Sequence, residues 1–179
     1  MNTILLKAIK FAIEAHHDSH HKYDRAPYSV HLAIAAHYAD LYSGLLPEGE
    51  RDHVLAAVWL HDTIEDCRIT YRDLEKSFGT SISDMVFAVT NNRGKTREER
   101  ADESYYKGIR ETPYATFIKL CDRLANARYS LEYNQANMLA TYRNELPHFL
   151  SQIISDNETI DYSSMVAALE EIFVQESAI

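Results

Sequence analysis

Apolar residues recur every three or four positions along almost the whole chain. Leu5, Ala8, Ile9, Ala12 and Ile13 form the first such stripe, the spacing of a helix with one buried face. Comparable patterns cover 29–43, 51–62, 80–90, 112–131, 135–154 and 159–175, with short helical turns predicted at 70–77 and 97–108. Strict apolar–polar alternation bounded by turn residues is missing, so no sheet is expected. Breakers punctuate the pattern at Asp24–Pro27, Gly44–Gly49 and Gly79-Thr80. Thr112-Pro113 reads as a helix start, a capping hydroxyl followed by proline in the first turn. The most polar stretch, Asn91–Arg100, reads as a mobile surface loop running into a helix. The prediction is an all-α protein, a single compact multi-helix bundle with one domain over residues 1–179.

Composition narrows the function. A chain of 179 residues with 46% hydrophobic residues, 5 glycines and 4 prolines can bury one substantial core, and no internal repeat is visible. The longest apolar run, Val54–Leu60, is far shorter than the roughly 20 residues a membrane span needs. Ile4-Leu5-Leu6 is soon interrupted by Lys7, Lys10 and Glu14 and followed by no small-residue cleavage site, so it belongs to the first helix and not to a signal peptide. Cys67 and Cys121 make no disulfide framework, and a reducing cytoplasm is expected, with both thiols buried. A net charge of -9 argues against nucleic acid, whose phosphates need a basic face. It leaves room for a small anionic substrate, because a metal ion and a few local cations can reverse the potential inside a cleft.

The chemistry concentrates in His61-Asp62-Thr63-Ile64-Glu65-Asp66, directly after the apolar run. Two other segments join it: Pro27-Tyr28-Ser29-Val30-His31 upstream and Lys119–Arg128 downstream. Together they supply His31, His61, Asp62 and Asp122, a complete donor set for a divalent cation such as Mn, Fe, Zn or Mg. Such an ion activates water and offsets charge on phosphoryl oxygens. Asp62 at the end of a helix is a misfit with the helix dipole that a cation would relieve. Asp122, on an apolar helix, needs a partner if buried. Glu65 and Asp66 lie close enough to orient or deprotonate a water. His16 and His20, or His17 and His21, have the i, i+4 spacing of a helical metal pair. Without the glutamate of the metalloprotease arrangement, a solvated or supporting role is expected for them. His37, His53 and His148 carry no context, and Tyr28 and Tyr129 stand beside the motifs.

These segments resemble the HD-domain metal-dependent phosphohydrolases, more narrowly the hydrolase domain of the Rel/Spo stringent-response enzymes and the small stand-alone alarmone hydrolases. The family pattern is an HD doublet followed by Glu-Asp, an upstream Pro-Tyr-x-x-His, and a downstream Lys-Leu-x-Asp-(Arg/Lys)-Leu-x-Asn-x-Arg. All three stand here in order over about residues 15–130, with C-terminal helices at 135–175. The resemblance implies an HD-domain bundle, with metal ligation by His31, His61, Asp62 and Asp122 and catalysis by Glu65 and Asp66. It further implies substrate contact by Lys22, Asn126 and Arg128, and by His21 in place of the first residue of a basic pair. The implied reaction removes pyrophosphate from the ribose 3′ position of (p)ppGpp with Mn²⁺, in a cytoplasmic monomer or homodimer without nucleic-acid or membrane partners. The long members carry a following synthetase domain that this length does not accommodate, so hydrolysis alone is expected. The chain departs from the pattern at His21, Arg25-Ala26, Leu32 and Tyr129, all around the substrate and none at the ligands. Two alternatives use the same metal site, a nucleoside 5′-monophosphatase and an NADPH 2′-phosphatase. A nucleotide-sensing module without catalysis is a third.

Overall fold

The computed structural model describes residues 3–155 and 157–176. The helices are α1 (Thr3–Asp18), α2 (Ser29–Leu41), α3 (Arg51–Leu60), α4 (Thr63–Asp66), α5 (Tyr71–Phe78), α6 (Thr80–Val89), α7 (Arg97–Arg100), α8 (Glu103–Glu111), α9 (Ala115–Glu132), α10 (Ala136–Ile153) and α11 (Ser163–Glu176), and they follow the apolar period except that α4 is unannounced by it and the expected turn at 97–108 is split into α7 and α8. The protein is an all-α bundle, and α9 is its axis. It packs against α2, α3, α6, α8, α10 and α11, while α1 lies along α3 and α5 along α6. Phe117, Ile118, Leu120, Leu124, Ala125 and Ala127 of α9 are fully buried. A helix apolar on nearly all sides is stable only when neighbours surround it.

Local signals set several boundaries. Thr70 caps α5 in a reciprocal box with Asp73, and Thr96 does the same for α7 with Glu99. Gly79, with φ of 82°, sits in a conformation open to glycine and ends α5 as α6 begins.

Three expectations need correction. First, Lys22–Tyr23 and Ala26–Pro27 pair as a minimal antiparallel hairpin, with Lys22 opposite Pro27 and Tyr23 opposite Ala26. Asp24 takes φ of 55° at the first position of its two-residue turn, a place where Asp is tolerated. Strands of two residues are too short for alternation to show. Second, Thr112-Pro113 does not open a helix. Thr112 caps the C-terminus of α8, and α9 begins after Tyr114, whose φ of 65° reverses the chain. Third, Asp62 is not simply a helix C-terminal residue. It follows the C-cap of α3 and stands at the N-cap of the four-residue α4 without a side-chain capping bond, so the dipole misfit with α3 is offset only in part.

Candidate active site

Three helices bring the motif residues together. His31 lies in the first turn of α2, His61 caps the end of α3, and Asp122 lies midway along α9. His31 Nε2 and His61 Nε2 are 3.2 Å apart, and Asp122 Oδ1 stands 3.3 Å from the first and 3.8 Å from the second. Asp62 Oδ2 is 2.9 Å from His61 Nε2 and 3.6 Å from His31 Nε2. Both histidines are buried. His61 Nδ1 donates to the Val58 carbonyl at 2.7 Å, which fixes the tautomer and leaves Nε2 for the cluster. Two imidazole nitrogens this close, both facing carboxylates, present more lone pairs than hydrogens. That donor set fits a divalent cation, and His31, His61 and Asp122 each offer one atom within 4.8 Å of the others.

The carboxylates are held from behind. Asp122 accepts from Lys119 Nζ at 2.8 Å and from Asn126 Nδ2 at 2.6 Å. Asn126 in turn accepts from the Tyr23 hydroxyl at 2.7 Å, so the hairpin locks the side chain that orients Asp122. The Tyr28 hydroxyl donates to Asp62. Burial and the Asp62 charge both push the Tyr28 phenol far up, which keeps it a donor. Burial works against the charge on Lys119, but Asp122 outweighs it and holds the ammonium charged.

His61 is likewise governed by its neighbours. Burial acts to lower its pKa, yet the carboxylates of Asp62 and Asp122 outweigh burial and raise it to about 10. In the ion-free protein His61 therefore carries a proton near neutral pH, which ligation must displace. Ion binding should release about one proton per ion and strengthen as pH rises toward that value. Calorimetric titration in buffers of different ionisation enthalpy checks this; heats independent of the buffer would refute it.

Glu65 and Asp66 point in different directions. Glu65 is exposed and accepts from the backbone N–H and side-chain amide of Asn91, both at 3.3 Å. Asp66 is half-buried with its Oδ2 3.4 Å from His21 Nδ1. Burial, then the charges of Asp62 and Glu65, raise its pKa to about 7.

The residues expected around the substrate separate. Asn126 lines a cleft of about 570 Å³ together with Asp122. Lys22 is exposed on the hairpin. Arg128 pairs with Glu132 at 3.1 Å and Gln175 at 3.2 Å, and lies outside the lining of that cleft. The cations that do line it are Arg97, Arg100, Lys119 and Arg123, with Tyr106 and Tyr142, and Glu145 lines it too, pairing with Arg97 at 2.8 Å and Arg123 at 3.1 Å. Arg123 packs on the rings of Tyr142 and Phe149 at 4.8 and 4.3 Å. Lys119 and Arg123 flank Asp122 within the downstream motif, so the sequence carried their signal. Arg97 and Arg100 were legible only as polar loop residues, although α7 holds them in a capped turn.

Residues 8–146 match the family model described as HD domain, and the chain belongs to that family. Among its relatives is the guanosine-3′,5′-bis(diphosphate) 3′-pyrophosphohydrolase MESH1 of Danio rerio, 31% identical over 126 residues, covering 70% of this chain and 68% of that protein. The enzyme of the same name from Drosophila melanogaster is 26% identical over 171 residues, covering 95% and 93%. A solved structure of a metazoan ortholog of SpoT that hydrolyzes ppGpp superposes with a TM-score of 0.71 at 21% identity, over 100% of this chain and 98% of that one. That last likeness is one of fold.

Proposed function

We propose that this chain is a divalent-metal-dependent 3′-pyrophosphohydrolase of (p)ppGpp, releasing pyrophosphate and GDP or GTP, with Mn²⁺ as its ion. The observation that carries the reading is the cleft in which Asp122 and Asn126 share walls with Arg97, Arg100, Lys119 and Arg123. In a protein of net charge -9, four cations against the two carboxylates of Asp122 and Glu145 leave this wall net positive, which suits a compact, highly charged phosphate ester. The names of the similar hydrolases support the same substrate.

His31, His61, Asp62 and Asp122 would hold the ion, which when bound supplies Lewis acidity to water and to phosphoryl oxygen. Asn126 and Lys119 keep Asp122 oriented. Glu65 would accept the proton of the attacking water, and Asp66 would assist it. The arginines bind the phosphates, and the aromatic rings of Tyr106 and Tyr142 give the nucleoside an apolar wall. His21 and Lys22 would meet the substrate outside this cleft, and Arg128, held by Glu132 and by Gln175 of α11, would act only on a part of the substrate that reaches beyond it. The bond that breaks joins the ribose 3′ oxygen to phosphorus, and the 3′ hydroxyl keeps its oxygen. We further propose one domain throughout, working in a reducing cytoplasm as a monomer or homodimer. Buried free thiols at Cys67 and Cys121 and the lack of any helix long and apolar enough to cross a membrane among the described residues are consistent with that setting.

The test is product analysis with and without Mn²⁺: pyrophosphate from ppGpp, against orthophosphate from nucleoside 5′-monophosphates and NADPH. Mn²⁺-dependent pyrophosphate release from ppGpp is the expected result. Orthophosphate from NADPH or a mononucleotide alone would replace the substrate assignment.

The two sets of cations make different predictions. A charge-assisted phosphate contact contributes on the order of 1.5–3 kcal/mol. Arg100→Ala should therefore raise KM for ppGpp about tenfold or more, with metal content unchanged. Lys22→Ala should raise it less, because the ammonium is exposed and screened. Steady-state kinetics on both variants decide; a larger effect at Lys22 would move the phosphates from the cleft to the hairpin.

A further inference from the structure

Tyr23 belongs to none of the three motif segments, yet its hydroxyl reaches Asn126 Oδ1 at 2.7 Å. Its ring is wedged among three others, with centroids of Tyr129 at 4.3 Å, His31 at 4.9 Å and Tyr28 at 5.8 Å. The hairpin that carries it is anchored by Asp24. Oδ2 of that residue accepts from Gln135 Nε2 at 2.6 Å and from the Tyr129 hydroxyl at 3.3 Å. Ring packing and anchor together deliver the Tyr23 hydroxyl to one place.

The two ends of the Asn126 amide are chemically unlike, and the hydroxyl selects between them. Asp122 Oδ1 is a carboxylate oxygen and can only accept, so the end facing it at 2.6 Å is Nδ2. The amide oxygen then faces Tyr23, whose phenol donates. Without that donor the amide can turn over and set its oxygen against the carboxylate. Lys119 holds Oδ2 of Asp122, while Asn126 holds Oδ1, the oxygen nearest His31 and His61. The Asn126 bond therefore aims the oxygen on the imidazole side of the cluster. Nδ2 carries a second hydrogen, which no other acceptor meets among the described residues, and Asn126 lines the cleft.

We propose that Tyr23 is a positioning residue for the reaction. Acting through Asn126, it sets one N–H on Asp122 and turns the other into the cleft, toward an acceptor oxygen of the substrate. Tyr23 itself does not line the cleft. The inference rests on the ligand set and substrate proposed above, and it leaves the roles of Glu65 and Asp66 as they stand.

Tyr23→Phe keeps the ring and its packing and removes only the hydroxyl. Mn²⁺ affinity by calorimetry, and KM and kcat for ppGpp at saturating Mn²⁺, are compared in the unaltered full chain, Tyr23→Phe, Asn126→Ala and the double variant. One ordinary hydrogen bond corresponds to about two- to tenfold. Tyr23→Phe should weaken Mn²⁺ binding by about that factor and raise KM similarly. Asn126→Ala should weaken Mn²⁺ binding by about 10- to 100-fold, as loss of a ligand's outer partner does. Once Asn126 is gone, Tyr23→Phe should change neither quantity further, because the two side chains act as a unit. A tyrosine that merely braced the fold would add the same loss in both backgrounds.

Unchanged Mn²⁺ affinity in Tyr23→Phe, or an equal loss with and without Asn126, would overturn the proposal. Weaker Mn²⁺ binding with KM unchanged would overturn its substrate half. Normal Mn²⁺ binding by an unaltered chain that does not hydrolyse ppGpp would instead overturn the substrate reading alone, and the binding comparison would still decide the role of Tyr23.

Discussion

Asp122→Asn should yield a folded protein that has lost its ion and nearly all turnover. Two effects must be kept apart. Asp122 bonds a buried ammonium, Lys119, at 2.8 Å and an amide, Asn126, at 2.6 Å. Asp122→Ala strands that cation, and breaking a buried pair in this way costs about 3–5 kcal/mol of stability. Asp122→Asn keeps the shape and one acceptor oxygen, so the fold should survive with a smaller loss. What it removes is the negative charge 3.3 Å from His31 Nε2. Changing only the outer partners of a metal ligand lowers affinity by about 10- to 100-fold, and losing a ligand should exceed that. Metal analysis and turnover measured together check the prediction. Full metal content with normal turnover in Asp122→Asn would exclude the proposed ligand set.

Glu65→Gln should behave in the opposite way, with metal kept and chemistry lost. Glu65 stands in α4, one turn past the His61-Asp62 doublet, exposed and tethered to Asn91, a residue of the cleft lining. The amide preserves size and one acceptor oxygen, so Asn91 remains partly bonded and α4 keeps its place. The lost property is the ability to take a proton. A positioned acid or base contributes about 10²- to 10⁴-fold, so kcat should fall by that factor with KM and metal content little changed. Loss of the ion in Glu65→Gln would instead make Glu65 a ligand.

Much of this protein is written locally. Helix positions follow from the three-to-four spacing of apolar residues, since a helical segment must bury one stripe wherever it packs. His31, His61-Asp62 and Asp122 are legible because each belongs to a short motif whose neighbours repeat the family pattern, and the fold brings the carboxylate oxygens within 3.8 Å of the imidazole nitrogens. Lys119 was equally local: three residues before Asp122, it shares its helix face.

Other features depend on which faces meet. Nothing near Tyr28 says that its hydroxyl will find Asp62, or that its ring will stack on His16 and His21; that follows from α2 packing beside α1 and α3. His21 pairs with His16 at a five-residue separation that no helical period predicts, because one left-handed residue redirects the chain. Arg97 and Arg128 look alike in sequence, each a cation on a polar face. The packing of α10 beside α8 and α9 turns the first toward the cleft, while α11 receives the second. Periodicity determines which side of a helix is buried; the assembled bundle alone decides which polar groups are left facing one another.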